Sequence, residues 1–286
     1  MSTIDRIGSY KVVSTLGTGA HSTILHIRRS ADARDYALKI VTINSKDESK
    51  FLDQARHEFK VSQLLSHPNL IKIYCLEMQK DWFFRVKGVN LLIEFVAGKT
   101  LDLVPPMPMI KLVPVLAQIA AGLVHMHRRG VYHGDLKPNN ILLGKRGEAK
   151  IIDYGLAHIK GETKDRIQGT PEYMAPETVR SKTINEKSDI YNFGATLYRL
   201  VTLKPPPSFG VSSEAARMGE KAWRSLIKPV NELNANIPDS LCRLIHRCLE
   251  FNPEARPERM GDIYEEVKEI AQEIGEPVEG GTDPGS

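Results

Sequence analysis

Two acidic residues and an asparagine are the side chains in this sequence best suited to chemistry. Asp135 and Asn140 lie within residues 132–143, and Asp153 directly follows an apolar run. Transfer of a phosphoryl group needs a carboxylate that orients the attacking hydroxyl, and oxygen ligands that hold magnesium against the charged phosphates. Asp135 suits the first role, and Asn140 with Asp153 suits the second. The alternative is an ordinary polar loop between hairpin strands, which this particular spacing disfavours.

A lysine within an apolar strand is the second feature. Lys39 lies in residues 36–40, where an unpaired ammonium group would be costly to desolvate and therefore needs an anionic partner. Glu58, in a predicted helix, is the best candidate. Taken singly, Lys39 would also suit the edge of a sheet, and Glu58 would suit an exposed helix surface.

A pair of glycines precedes that lysine. Gly17 and Gly19 stand between two β-like runs, where the absence of side chains would let backbone N–H groups approach phosphate oxygens. A tight hairpin is the more common meaning of such a pair, and Ser22 occupies the position of the third glycine in the usual phosphate-loop pattern. The order of glycine pair, strand lysine and helix glutamate favours phosphate binding.

The elements that must position these residues change in type along the chain. Apolar and β-branched runs predict strands over residues 10–16, 22–29, 35–41, 70–78 and 90–96, interrupted by a helix over 51–65. Helical spacing then predicts helices over 113–129, 186–203, 239–250 and 258–274, with Pro114 in the first turn of the first of these. The predicted fold class is α+β, with a small sheet lobe followed by a larger, mainly helical lobe.

Composition excludes several classes of protein. The 286 residues carry a net charge of +4, and their basic residues are scattered among acids, so we expect no nucleic-acid partner. No uninterrupted apolar run approaches membrane-spanning length, so we expect no membrane partner within this segment. The three cysteines lack metal-ligand spacing, which favours a reducing, cytoplasmic location.

The motifs together resemble those of the eukaryotic-type (Hanks-type) protein kinases over residues 10–274. Residues 169–177 resemble the substrate-docking loop of that family, residues 188–194 resemble a helix motif that follows it, and Arg256 is the expected ion-pair partner of Glu177. The resemblance implies a sheet lobe over 10–93, a hinge over 94–98 and a helical lobe over 99–274. We expect residues 275–286 to be disordered, and residues 133–140 suggest a bacterial origin.

This resemblance implies ATP and Mg²⁺ as cofactors and assigns a role to each matching position. It implies catalytic roles for Lys39, Glu58, Asp135, Lys137 and Thr170, and metal ligation by Asn140 and Asp153. It implies nucleotide contacts from Gly17, Gly19, Ser22, Ile24, Ala37, Lys39, Ile93, Glu94, Val96, Asn140, Leu142 and Asp153. Within this set, backbone groups of Glu94 and Val96 are expected to meet the adenine.

The resemblance also implies a protein substrate and favours one kind of hydroxyl. Lys137, two residues after Asp135, and Thr170 resemble the serine/threonine branch, in which the lysine neutralises the transferring phosphate. We expect autophosphorylation as well. Two alternatives remain, namely a pseudokinase that acts as a scaffold and a kinase of small molecules. The sequence carries no pattern that defines the oligomeric state.

Four positions depart from the family pattern. Ser22 replaces a glycine, Ser62 an apolar residue, Gly134 an arginine and Tyr154 a phenylalanine. The two hydroxyls, on Ser62 and Tyr154, are expected either to bond each other or to loosen an apolar column. Because Gly134 offers no cation to grip a phosphate, we expect activity to be independent of phosphorylation at Thr163.

Overall fold

The computed structural model describes residues 6–19, 21–43, 49–162, 168–208 and 219–275. They form two compact units. The first unit contains the described residues of Met1–Ser66 and Ile71–Ala97, and the second contains those of His67–Leu70 and Gly98–Ser286. Thr163 and nearly all of the predicted disordered tail lie outside the described residues.

The first unit is an antiparallel sheet with one helix. Its elements are β1 (Arg6–Ile7), β2 (Tyr10–Thr18), β3 (Ser22–Arg29), β4 (Asp35–Thr42), α1 (Ser49–Gln63), β5 (Ile73–Lys80) and β6 (Val86–Glu94). The strand order across the sheet is β1-β2-β3-β4-β6-β5. The five longer strands overlap the five predicted β-rich runs, and the helix overlaps the predicted residues 51–65.

The two faces of this sheet carry different side chains because side chains alternate along a strand. Tyr36 and Leu38 of β4 pack with Ile27 and Leu92 in an apolar cluster. Lys39, next to Leu38 in β4, has the opposite orientation. The sheet therefore separates an apolar cluster on one side from a charged side chain on the other.

The second unit is mainly helical. Its strands are β7 (Gly98–Thr100), β8 (Val131–Tyr132), β9 (Ile141–Gly144), β10 (Ala149–Ile151) and β11 (His158–Ile159). Its helices are α2 (Met109–Arg128), α3 (Pro176–Ser181), α4 (Glu186–Thr202), α5 (Glu220–Leu226), α6 (Val230–Leu233), α7 (Asp239–Cys248) and α8 (Met260–Glu273). Strands β10, β9 and β7 form one small sheet, and β11 pairs with β8. The predicted α+β class is confirmed.

The core of the second unit forms where α2 packs against α8 and α4 packs against α7. The apolar stripe predicted for the last helix is confirmed as core, because Met260, Ile263, Val267 and Ile270 are all buried. Ile274, predicted to end the stripe, follows the helix as its C-cap and is half-buried. The helices thus provide a rigid base for the short strands and loops that bear the polar residues.

Helix α2 begins four residues earlier than predicted. It starts at Met109, so Pro114 lies inside the helix and not in its first turn. The missing N–H of this proline would otherwise bond the carbonyl of Ile110, an exposed residue near the helix start. By length and composition α2 would suffice to cross a membrane, although Lys111 and Gln118 interrupt its apolar residues. However, 56% of its apolar window is buried within the protein, as in an ordinary core helix.

Two details of the predicted boundary between the units differ from the structure. The sheet begins before residue 10, because β1 pairs with β2 through Ile7 and Tyr10. Residues His67–Leu70 belong to the second unit, because the Asn69 amide donates to the carbonyl oxygen of Ala149 at 2.9 Å and Leu70 bridges to Ile151. The predicted strand over 70–78 accordingly starts only at Ile73.

Candidate active site

Strand register in the first unit brings several predicted nucleotide-binding residues onto one face of the sheet. Ile24 of β3 lies opposite Gly17 of β2 and opposite Lys39 of β4. Ala37 lies two residues before Lys39 and opposite Ile93 of β6. Because directly opposed residues in antiparallel strands project to the same side, all five share one face.

The predicted ion pair is present on this face. Lys39 Nζ lies 2.7 Å from Glu58 Oε2, and Glu58 is buried in α1. The pairing explains how an ammonium group is accommodated in an apolar strand, because a buried charge requires an opposite charge and hydrogen bonds. The helix and the strand thus hold a cation in a defined place.

The glycine turn between β2 and β3 is closed by one backbone hydrogen bond. The Gly19 N–H donates to the carbonyl oxygen of Ser22 at 2.8 Å. An added Cβ would meet nothing within 4 Å at Gly17, and at Gly19 it would make only ordinary contact with the Ser22 hydroxyl at 3.4 Å. Neither glycine is therefore required by packing against the described part of the chain.

The backbone groups at and after the end of β6 differ in whether they already make a hydrogen bond. The Glu94 N–H donates to the carbonyl oxygen of Lys72 at 2.8 Å, so this N–H is already used. Val96 follows the strand and is half-buried, and no hydrogen bond of its backbone occurs with another described residue. Val96 is consequently better placed than the Glu94 N–H to bind a ligand.

In the second unit, Asp135, Lys137 and Thr170 form one hydrogen-bonded group. Lys137 Nζ lies 2.7 Å from Asp135 Oδ2 and donates to Thr170 Oγ1 at 2.5 Å. The Thr170 N–H donates to the other carboxylate oxygen of Asp135 at 2.9 Å. Lys137 and Thr170, which are 33 positions apart in the sequence, therefore both contact the Asp135 carboxylate. The sequence predicted this association only through the resemblance.

The two predicted metal ligands lie close together in the same unit. Asn140 Nδ2 donates to the Asp135 carbonyl oxygen at 2.8 Å, so its Oδ1 remains as an acceptor. The Ile152 N–H donates to the Asn140 carbonyl oxygen at 2.9 Å. This bond brings Asp153, the residue after Ile152, close to Asn140. Asp153 has a φ of +66°, uncommon for a residue other than glycine. Leu142 lies two residues beyond Asn140 in β9.

Asp189 supports the loop that carries Asp135, although the sequence indicated no role for it. It is fully buried in α4, and its two carboxylate oxygens accept the N–H groups of His133 at 2.7 Å and Gly134 at 2.8 Å. The His133 ring in turn accepts the Asp135 N–H at 3.3 Å. The available signal was the place of Asp189 within residues 188–194, which resemble a motif of the family and begin in the first turn of α4.

The buried ring of His127 places a positive charge next to Asp189. Its Nε2 lies 2.8 Å from Asp189 Oδ2, and its Nδ1 lies 3.2 Å from Glu186 Oε1 without hydrogen-bond geometry. Burial opposes protonation, but hydrogen bonding to Asp189 and the nearby Glu186 outweigh it and raise the pKa of His127 to about 9. His127 is therefore a cation at neutral pH.

The expected ion pair after the docking loop is also present. Arg256 Nη1 and Nη2 lie 2.7 and 2.8 Å from the two carboxylate oxygens of Glu177. The Asn192 amide donates to the Tyr173 carbonyl oxygen within the same segment. The segment from Gly169 to Glu177 is thereby attached both to α4 and to the loop that precedes α8.

The departures from the family pattern have local explanations. The Ser62 hydroxyl donates to the Phe59 carbonyl oxygen in its own helix at 2.7 Å, and the Tyr154 hydroxyl lies 3.5 Å from the Ile151 carbonyl oxygen. Each hydroxyl thus has a partner in its own unit. Gly134 has a φ of +74°, a conformation that glycine adopts without strain.

The chain belongs to the protein kinase family, because the family's domain pattern, described as "Protein kinase domain", matches residues 10–270. The resemblance drawn from the sequence is thereby confirmed.

Curated relatives agree with this assignment. The chain is 27% identical to a probable serine/threonine-protein kinase of Clostridium acetobutylicum, over 91% of this chain and 40% of that protein. It is 25% identical to the serine/threonine-protein kinase PrkC of Bacillus subtilis, again over 91% and 40%. It is 28% identical to the DNA damage-responsive serine/threonine-protein kinase RqkA of Deinococcus radiodurans, over 88% and 38%. The chain thus spans about 40% of the length of these relatives.

Proposed function

We propose that this chain transfers the γ-phosphoryl group of ATP to serine or threonine hydroxyls of proteins, and that it also phosphorylates itself. The observation that carries the proposal is the hydrogen-bonded group of Asp135, Lys137 and Thr170. An isolated acid would support many functions, whereas a carboxylate held between a lysine and a threonine supports hydroxyl activation next to a phosphate.

The first unit would bind the nucleotide. Lys39 would pair with phosphate oxygens, and Glu58 keeps its ammonium in place at 2.7 Å. The glycine turn supports this role, because its glycines serve no evident packing function and leave space in which phosphates can approach the backbone. Val96 would contribute backbone hydrogen bonds to the adenine. Ile24, Ala37 and Ile93 would supply an apolar surface.

The second unit would act on the substrate hydroxyl. Asp135 Oδ1 accepts the Thr170 N–H, and Oδ2 contacts Lys137, so the carboxylate has a fixed orientation toward an incoming hydroxyl. It would orient that hydroxyl and accept its proton during transfer. Lys137 would neutralise charge on the transferring phosphoryl group.

The residues present fit a bound Mg²⁺ ion. Mg²⁺ prefers oxygen ligands and is usually held by one or two carboxylates together with substrate phosphates. The Asp153 carboxylate and the free Oδ1 of Asn140 supply such oxygens, while the Asn140 amide is oriented by its bond to Asp135. When bound, the metal would neutralise the charge of the phosphates.

The choice of serine and threonine over tyrosine has two supports. The relatives above are named serine/threonine kinases, and the lysine and threonine that contact Asp135 resemble that branch.

The described cysteines, Cys75, Cys242 and Cys248, are all free thiols, which supports a reducing, cytoplasmic environment for this segment.

A phosphorylation assay with three substrate classes tests the proposal. The chain is incubated with ATP, with or without Mg²⁺, and with one of three kinds of substrate: serine and threonine peptides, tyrosine peptides, or a panel of small metabolites. Mass spectrometry should detect magnesium-dependent phosphate on serine or threonine peptides and on the chain itself. Phosphate only on metabolites would establish a small-molecule kinase. Absence of turnover despite nucleotide binding would establish a scaffold.

A further inference from the structure

The turn between β5 and β6 carries three consecutive aromatic side chains that face solvent. Trp82, Phe83 and Phe84 are 92%, 74% and 82% exposed. Among the large hydrophobic residues that the structure describes, no others are as exposed. We call these three residues the aromatic tip. Isolated exposed apolar residues are ordinary, but a contiguous aromatic group marks an interaction site.

The backbone of this turn is held in place by Asp81. Its Oδ1 accepts the N–H groups of Phe83 and Arg85, each at 2.9 Å. The Asp81 N–H donates to the Arg85 carbonyl oxygen at 2.8 Å, and Phe84 has a φ of +60°. A left-handed conformation is unusual for an aromatic residue and persists only where surrounding bonds impose it. The backbone of the turn is therefore held in one conformation.

Basic residues flank the aromatic tip. Lys80 precedes the turn, Arg85 closes it and Lys87 follows, and all three are exposed. Asp81 is the only carboxylate from residue 80 to residue 87, and its Oδ1 is occupied by two backbone N–H groups. Glu77 is the next acid back along the strand. The end of the hairpin therefore combines exposed rings with a local excess of positive charge.

We propose that the aromatic tip inserts into the interfacial layer of a membrane that contains anionic phospholipids. Trp and other aromatic rings partition to the boundary between headgroups and acyl chains, and exposed lysine and arginine residues are attracted to anionic headgroups. Lys80, Arg85 and Lys87 contact the lipid phosphates in this arrangement. The inference adds a surface-binding mode to the proposed function and differs from the expectation of no membrane partner drawn from composition.

The shape of the turn favours lipid over a protein partner. Each ring is exposed over more than two thirds of its surface, so no groove in the first unit supports it. A fluid lipid layer can surround a protruding turn on all sides, whereas a protein partner would need a matching pocket for three adjacent rings. The flanking cations lie within three residues of the rings along the chain.

Tryptophan fluorescence gives a direct test because the chain contains two tryptophans in opposite environments. Trp82 is 92% exposed and Trp223 is 1% exposed. Vesicles of phosphatidylcholine with phosphatidylserine should shift the emission of Trp82 to shorter wavelength and sediment the protein, and brominated lipids should quench this emission. Vesicles of phosphatidylcholine alone should do so much less, and high salt should weaken the effect.

Variants separate the roles of the rings and of the charges. Replacing Trp82, Phe83 and Phe84 together by Ser should reduce vesicle binding by roughly tenfold or more, and Lys80→Gln with Lys87→Gln should reduce it on anionic vesicles only. Leu203→Ser, at an exposed apolar position of the second unit, is the matched control and should bind like wild type.

Three outcomes would overturn the proposal. The first is wild-type protein that neither sediments nor changes emission with anionic vesicles. The second is a triple variant that binds as well as wild type. The third is self-association in the absence of lipid that depends on the aromatic tip, which would make a second copy of the chain the partner. None of these measurements depends on phosphorylation activity.

Discussion

Removal of either partner of the Glu177 and Arg256 ion pair should strongly destabilise the second unit. The Arg256 side chain is 0% exposed and the Glu177 side chain 13% exposed. The guanidinium also donates to the carbonyl oxygens of Glu250 at 2.8 Å, Lys187 at 2.8 Å and Phe251 at 3.3 Å. Breaking a buried pair by removing one member typically costs about 3–5 kcal/mol, because the other charge remains buried.

The two single variants should differ in how much they lower the free energy of unfolding. Glu177→Gln leaves a guanidinium that retains its three carbonyl acceptors, so we expect the lower end, about 3 kcal/mol. Arg256→Met removes every one of these bonds and leaves a largely buried carboxylate, so we expect about 4–5 kcal/mol. The double variant should be less destabilised than the sum, because neither charge remains unpaired.

Trp223 is a suitable probe for this measurement. It is buried in the second unit, and its Nε1 donates to the Leu249 carbonyl oxygen at 3.3 Å. Urea unfolding would be followed by its emission in a Trp82→Phe background. Arg224→Gln is the matched control, because Arg224 makes exposed ion pairs and should cost less than about 1 kcal/mol. A cost below about 1 kcal/mol for Glu177→Gln would refute the reasoning.

Three further predictions concern the remaining groups. Lys39→Met should remove most phosphorylation activity without unfolding the first unit, since methionine fits an apolar strand; unchanged activity with normal nucleotide binding would contradict the role of Lys39. His127 should stabilise the fold fully below pH 6.5, and this stabilisation, about 3 kcal/mol, should be lost as the pH rises through the folded pKa of about 9. Unfolding measured across pH should show a flatter profile for His127→Gln, and identical profiles would exclude this linkage. The Thr163→Ala variant should phosphorylate peptides at a rate within roughly tenfold of the wild-type rate. A larger loss would mean that a cation elsewhere in the chain binds a phosphate on Thr163, since Gly134 supplies none.

Long elements with clear periodicity could be predicted from the sequence. Strand β3 has the predicted bounds, residues 22–29, because alternating and β-branched residues fill it and turn residues surround it. The pairing of Lys39 with Glu58 also followed from elementary physics, since a charge in an apolar strand needs a partner. Helix α4 differs from its predicted range by one residue.

Short elements and long-range support could not be predicted in the same way. Strands β8 and β11 have two residues each, too few for any periodicity, and form only because they pair with each other. The start of α2 at Met109 was not predicted, because a proline is expected in the first turn of a helix. Pro114 is instead the sixth residue of α2. The role of Asp189 depends on residues 55 and 56 positions away and is visible only after folding.

The most direct test of the central claim compares Asp135→Asn with wild type in magnesium-dependent transfer of phosphate from ATP to a serine peptide. The variant retains the shape of the side chain but loses the carboxylate, so its rate should fall by about 10²–10⁴-fold while nucleotide binding is unchanged. Asp53→Asn, at an exposed position of α1, is the control and should be fully active. Equal rates for Asp135→Asn and wild type would contradict the assignment of this carboxylate to phosphoryl transfer.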